Sequence, residues 1–373
     1  MTHRRPPVPV AQTPPQGVQR ASTHGAPPHS PRRPRLSDVA ALAGVDTSVV
    51  SRALNADPKL LVRPETRQRI LDAASALGYR PNAVARSLRR STSGVYGLAI
   101  PSFSNPIYAE IISGAERAAT SVGKHLLSSS FTDAKPESLV EVLGSGRIDG
   151  LIVAGTTPAM DVLLDGTGEP WLYLNRRSPG RPRHVVLDDE GAARLATTHL
   201  LRLGHERIGH VAGPEVADTA TRRRSGFLAA LRDAGMRAAA RDIAVADYTS
   251  AGGAEAIGRL LATSRDLTAV FVANVASAVG VLFGADRAGL SVPGDLSVIA
   301  IHDLPMAEYL IPPLTTVRMP LFELGRRGVD ILASQPATAD VDEVVSEPME
   351  IVARASTAPP PRVGAGRGLA TRR

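Results

Sequence analysis

From Gly94 onward the chain repeats one unit, a short apolar run followed by a helix-like stretch. The runs are Val95–Ile100, Leu151–Val153, Trp171–Leu174, Ile208–Val211, Ala269–Val272 and Ser297–Ile301. The helix-like stretches include Tyr108–Val122, Ala192–Leu203, Gly226–Ala234, Gly253–Leu261 and Ser277–Ala288. Strands that are apolar throughout and separated by helices form parallel sheets covered on both faces. So many elements overfill one compact sheet. The expected body is therefore α/β, with two similar lobes of doubly wound parallel sheet. In open sheets of this kind ligands sit beyond the carboxyl ends of the strands, so a cleft between the lobes is the expected site.

Other classes fall away quickly. No apolar run reaches the roughly 18–20 residues a bilayer span requires. Arg4 and Arg5 have no apolar stretch behind them, so the start does not read as a secretory signal. With zero cysteines there are no disulfides, thiolate zinc sites or cysteine nucleophiles. A cytoplasmic location fits these features. Gly123-Lys124 lacks the glycine spacing and the following Ser/Thr of a phosphate loop. His205-Glu206 with His210 resembles a zinc-protease motif, but on a helix an i, i+5 pair points apart and cannot share a metal. No GxSxG elbow or GxGxxG fingerprint occurs. The sequence thus predicts no enzyme, no bound metal and no cofactor.

Ahead of the α/β body the texture differs. Residues 1–35 hold nine prolines and six arginines with no acid, too few apolar groups to offset chain entropy, and read as a disordered tail. The leading reading is a plain solvated extension or a start codon placed too early; the alternative is that its basic charge adds non-specific phosphate attraction. Residues 358–373 read as a second loose tail. Between them, Ser37 is a plausible N-cap for Asp38–Ala43, Gly44-Val45 turns the chain, and Asp46 caps a helix over Thr47–Leu54. Ala40, Val45, Val50 and Leu54 supply the contacts between these two helices. A third helix starts at Pro64-Glu65 and runs to Leu77, with Ile70, Leu71, Ala74 and Leu77 on one face, and Gly78 ends it. The pattern predicts a helix-turn-helix with a supporting helix.

Charge follows the same division. Residues 1–35 carry +6, residues 36–90 carry +4, and residues 91–357 carry −7. A basic front before an acidic body fits a chain whose front alone meets a polyanion.

The segments LSDVAALAGVDTSVVSRALN and VRPETRQRILDAASALGYRPNAVARSL resemble the LacI/GalR family of bacterial transcriptional regulators. The likeness continues through PSFSNPIYAE, RIDGLIVAG, HLLRLGHERIGHVAGP, VPGDLSVIAIHD, YLIPPLTTVRMP and ARASTAPP, covering residues 36–360. It implies a helix-turn-helix headpiece at 36–80, a hinge helix and linker at 81–93, and a two-lobed core like periplasmic binding proteins at 94–357. It also implies a homodimer on double-stranded DNA with a palindromic operator, and a small-molecule effector, a sugar, between the lobes.

The resemblance assigns roles residue by residue. Thr47, Ser48 and Arg52 occupy base-reading positions, and an arginine can donate two bonds to guanine O6 and N7. Ser51 and Asn55 match positions that touch phosphate, although Asn55 also reads as a plain helix C-cap. In the hinge, Asn82 belongs to the matching segment, Leu88 is the residue that would wedge into the minor groove, and Arg89 meets the adjacent phosphates.

Asn105, Tyr108, Arg176, Arg223 and Tyr248 match positions that meet the effector. Arg222 and Arg224 read as solvated helix charge. Two acidic positions are altered: an Asn-Asp pair reads Asn274-Val275, and an Asp-Asp pair reads His302-Asp303. Losing the carboxylate at 302 removes a bidentate acceptor for sugar hydroxyls and brings in a group that ordinarily titrates near neutral pH. An unusual sugar, a less hydroxyl-rich effector, a lost ligand, or recognition by Asn274 with His302 behind it all remain open. The leading expectation is a sequence-specific regulator, a repressor, controlled by a carbohydrate. A solute-binding protein or a sugar-modifying enzyme would share the core but lack this front end or require catalytic groups.

Overall fold

The computed structural model describes residues 34–55, 57, 59–79, 92–130, 141, 145–155, 164 and 170–361. The hinge residues Asn82, Leu88 and Arg89 and most of both expected tails lie outside these. The chain divides into two compact units, 1–82 and 83–373.

The first unit is a three-helix cluster of α1 (Leu36–Ala43), α2 (Thr47–Leu54) and α3 (Pro64–Ala76). Helix α1 begins one residue before the expected cap, so Ser37 lies inside it. Asp38 instead turns back to accept the Arg35 amide at 2.7 Å. Gly44 sits at φ +64, where a side chain is disfavoured, and Val45 N donates back to Ala40 O at 3.2 Å. Asp46 caps α2 as expected, accepting from Ser48 N at 2.7 Å. The core gathers Val39, Ala40, Ala43, Val50, Ala53, Leu60, Ile70, Ala73 and Ala74. On α3 the inner stripe is Ile70, Ala73 and Ala74, at i, i+3, i+4 spacing; Leu71 and Leu77, expected inside, face outward.

Among the described residues the second unit holds two six-stranded sheets. The first contains β1 (Val95–Ile100), β2 (His125–Ser130), β3 (Leu151–Val153), β4 (Trp171–Leu174), β5 (Arg183–Val186) and β11 (Val341–Val344), in the order β11-β5-β4-β3-β1-β2. The second contains β6 (Ile208–Ala212), β7 (Ile243–Val245), β8 (Ala269–Val272), β9 (Ser297–Ile301), β10 (Thr315–Arg318) and β12 (Glu350–Val352), in the order β12-β10-β9-β8-β6-β7. Among the described residues every strand pairing is parallel except β10 with β12, an antiparallel edge not expected from the sequence. The covering helices are α4 (Ile107–Ser121), α5 (Asp189–Arg202), α6 (Asp218–Asp233), α7 (Ser250–Thr263), α8 (Val275–Arg287) and α9 (Leu321–Ser334). Helix α6 starts eight residues before the expected Gly226, because its first two turns present polar rather than apolar side chains.

The chain passes between the lobes three times, after β5, after β10 and after β11. Ala358, expected as the start of the loose tail, is tied down: its N donates to Ser297 Oγ at 3.0 Å and its O pairs with His205 at 2.8 Å. Among the described residues no helix is long and apolar enough to cross a membrane.

Candidate functional site

In the headpiece unit, α2 buries Val50 and Ala53 and leaves Thr47, Ser48 and Arg52 exposed, with Ser51 and Asn55 half-buried. The three expected base readers thus share the outer side of one helix. Asn55 is the C-cap residue, and its Nδ2 donates to Ser51 O at 2.7 Å. Arg52 does not extend freely. Its Nε donates to Asp57 Oδ2 at 2.9 Å and its Nη2 to Lys59 O at 3.0 Å.

In the larger unit, a cavity of about 660 Å³ opens at the carboxyl ends of strands from both sheets. Asn105, Tyr108 and Arg176 reach it from the first lobe, and Arg223, Tyr248, Asn274 and His302 from the second. All seven residues expected to meet an effector therefore line one space, at the topological position where open α/β sheets bind ligands.

The second-lobe wall is built around Arg223, which is 3 % exposed. Its Nε donates to Asp189 Oδ1 at 2.7 Å, and its Nη1 to Ala273 O at 2.8 Å. Its Nη2 lies 3.4 Å from His302 Nε2. Burial opposes the Arg223 charge, but Asp189 and the nearby tyrosines outweigh it, so its pKa is raised. His302 is wholly buried; burial first, then the Arg223 charge, holds its pKa well below the ordinary histidine value. The neutral-pH titration expected for this position is thereby removed. Tyr108 and Tyr248 are both pushed up, chiefly by burial, and remain protonated phenols.

Asn274 contributes to the architecture of the wall. Its Oδ1 caps α8 through Ser277 N at 2.9 Å, and its Nδ2 donates to Tyr248 O at 3.2 Å. Tyr248 Oη meets Thr219 Oγ1 at 3.0 Å, and Arg223 lies 5.8 Å from the Tyr248 ring centre. Its ring packs so closely on Gly213 that any Cβ there would collide with it.

Backbone strain is concentrated here. Among the described residues three non-glycine residues have positive φ: Asn175 (58°), Tyr248 (67°) and His302 (76°). Each follows a strand, and all three line the cavity. Such conformations cost about 1–3 kcal/mol each and cluster where a site demands a particular side-chain direction.

Some contributors were not visible in sequence. Asp189 is fully buried and pairs with both Arg223 and Arg222, the latter at 2.5 Å. Arg222 also meets Asp218 at 2.9 Å, so it is an anchored group rather than the solvated charge expected, whereas Arg224 is exposed. Asn175 keeps a buried Oδ1 and Arg176 a buried Nε without partners among the described residues. Arg176 also lies 5.7 Å from the Tyr173 ring centre. His205 and His210 are not on a helix: His205 lies in the loop before β6 and His210 on β6, where it stacks on Phe271 at 4.6 Å. Among the described residues no cluster suits a metal.

A three-helix headpiece preceding two doubly wound sheets with a cleft between them defines a DNA-binding regulator with a periplasmic-binding-protein-like core. The lacI family of bacterial regulatory proteins matches residues 35–82, and a periplasmic binding protein-like domain matches residues 197–357. The chain is 36 % identical over 312 residues to the HTH-type transcriptional regulator GalS of Salmonella typhimurium, spanning 82 % of this chain and 91 % of that one. A crystal structure of the lac repressor dimer bound to operator and an anti-inducer superposes with TM-score 0.78 at 27 % identity, covering 88 % of this chain and all of that one. A cellobiose complex of the regulator CelR gives TM-score 0.67 at 29 % identity, over 87 % of this chain and all of that one. The chain belongs to the lacI family. It is a DNA-binding transcriptional regulator and not an enzyme.

Proposed function

We propose that this regulator is a repressor that holds a palindromic operator as a homodimer in the cytoplasm, and that a small carbohydrate bound between the lobes changes that hold. The observation that carries the ligand half is the convergence of the three strained residues, Asn175, Tyr248 and His302, on one cavity of about 660 Å³. Strain of that kind persists only where surrounding structure enforces it, and ligand clamps are a common setting. The cellobiose held by CelR supports a sugar as the ligand class. In this reading Asn105, Tyr108, Arg176, Arg223, Tyr248, Asn274 and His302 face the effector.

For the DNA half, residues 36–80 form the headpiece, 81–93 the hinge and 94–357 the core. Thr47, Ser48 and Arg52 read bases; Ser51, Asn55, Asn82 and Arg89 hold backbone; Leu88 enters the minor groove. Dimeric binding is supported by the operator-bound dimer of the lac repressor. A sugar that favours one lobe arrangement changes operator affinity by the same coupling energy that the operator exerts on sugar binding.

The test is capture of genomic fragments by the full-length protein at about 150 mM salt, with and without added mono- and disaccharides. A two-fold symmetric site whose retention changes with one sugar is expected. Enrichment indifferent to every sugar would remove the carbohydrate assignment, and no enrichment under any condition would remove the operator assignment.

A further inference from the structure

We propose that Asp57 is a specificity-determining positioning residue: it clamps Arg52 so that only the terminal fork of the guanidinium is presented to a base. The proposal rests on the reading that Arg52 faces a base edge.

The clamp is a turn immediately beyond α2. Asp57 N donates to Arg52 O at 3.0 Å, and Leu60 N to Asp57 O at 3.1 Å. Leu60 is buried in the headpiece core and anchors the far end of the turn. The two carboxylate oxygens of Asp57 have separate tasks. Oδ1 accepts Lys59 N at 2.8 Å, which fixes the turn, and Oδ2 accepts Arg52 Nε at 2.9 Å. Lys59 O accepts a hydrogen bond from Arg52 Nη2. Nearly half of the Arg52 side chain, 46 %, stays exposed.

A guanidinium has two edges able to make paired hydrogen bonds, Nε with Nη2 and Nη1 with Nη2. Asp57 occupies Nε, so a paired contact with a base must use Nη1 and Nη2. Guanine presents two acceptors, O6 and N7, to such a fork, whereas adenine presents N7 beside an N6 donor that repels it. A held arginine also loses less rotamer freedom on docking. An arginine released from the clamp can swing to a phosphate, which keeps attraction to DNA and loses the choice of base.

The test is selection from a randomised duplex library at about 150 mM salt with four full-length proteins: wild type, Arg52→Ala, Asp57→Ala and Asp57→Asn. Asp57→Asn separates the two tasks. Its amide oxygen can still accept Lys59 N, but its NH₂ faces Arg52 Nε donor to donor. Wild type is expected to select guanine at one symmetry-related position of each half-site, and Arg52→Ala to lose that selection. Both Asp57 variants should lower guanine preference at that position about tenfold. Other positions and affinity for random-sequence DNA should stay within about threefold. Unchanged guanine preference in Asp57→Asn, or an equal loss at all positions, overturns the clamp while leaving the Arg52 assignment intact. An Arg52→Ala variant that selects the same site as wild type instead overturns the base-reading assignment, and the clamp falls with it.

Discussion

Arg223 Nη2 lies 3.4 Å from His302 Nε2, and the direction of that contact is fixed by chemistry. A guanidinium has no acceptor, so Nε2 must accept and the neutral ring carries its hydrogen on Nδ1. That Nδ1 is buried and has no partner among the described residues. The position therefore presents a buried ring N–H, and burial and the Arg223 charge both hold its pKa well below the ordinary histidine value.

His302→Asp restores an acceptor with two oxygens beside Arg223. Aspartate also tolerates the left-handed backbone at 302 better than histidine does. Affinity for a neutral hexose such as galactose, measured by titration calorimetry, should rise about tenfold. Equal or weaker binding in the variant would show that this position does not set the cleft's preference.

Removing Asp189 should be far more damaging than removing a neighbouring surface charge. Asp189→Ala leaves Arg223 buried without its carboxylate, a change that costs about 3–5 kcal/mol. Arg224→Ala, on the exposed side of the same helix, should stay within about 0.5 kcal/mol. Urea unfolding followed by circular dichroism distinguishes them, and similar losses in both variants would contradict the buried pair.

His210 gives the core a pH-dependent stability. Wholly buried between Phe227 and Phe271, it is pushed down to about 4, mainly by burial. The unfolded chain binds a proton near pH 6.5 that the folded chain refuses. Stability is therefore fully present above about pH 6.5 and is lost as pH falls toward 4, by about 3 kcal/mol at the limit. His210→Phe, which cannot titrate, should flatten the fall of melting temperature between pH 7 and 5. An unchanged slope would assign it to other groups, such as His205 and His199, which burial also holds low.

Deleting residues 1–33 should leave operator choice intact, because Thr47, Ser48 and Arg52 all lie on α2. The deletion removes five of the six arginines of residues 1–35, so it should at most flatten the salt dependence of binding. Binding isotherms from about 50 to 250 mM salt test this, and a loss of sequence preference would give the segment a reading role.

The cleft was legible because it follows from strand order: once the alternation of runs and helices is read, loops after the carboxyl ends must face one another. That logic located the cleft, and the resemblance supplied seven of the residues that line it. What it missed depended on long-range pairing or on a single step around a helix. Asp189 sits in an acidic helix start that looks like ordinary capping, and its partner is 34 residues away. Arg222 and Arg224 differ only by rotation around α6, and no apolar periodicity marks which side is inside. The same lack of periodicity hid the first two turns of α6, whose buried groups answer to the cleft rather than to a hydrophobic core. On α3, size misled: the small Ala73 is inside and the large Leu71 outside, since close helix approach favours the smaller side chain.

The threefold passage of the chain between the lobes has a consequence for biogenesis. Strand β11, the edge of the first sheet, is made only after every strand of the second lobe except β12. As the polypeptide leaves the ribosome, the first lobe therefore waits with the outer edge of β5 unpaired until nearly the whole protein exists. An open edge of that kind invites foreign strands, so the interval is the nascent protein's period of greatest exposure to aggregation. Truncation between β5 and Val341 makes the exposure permanent, and shortened products of this gene should be insoluble rather than merely unresponsive.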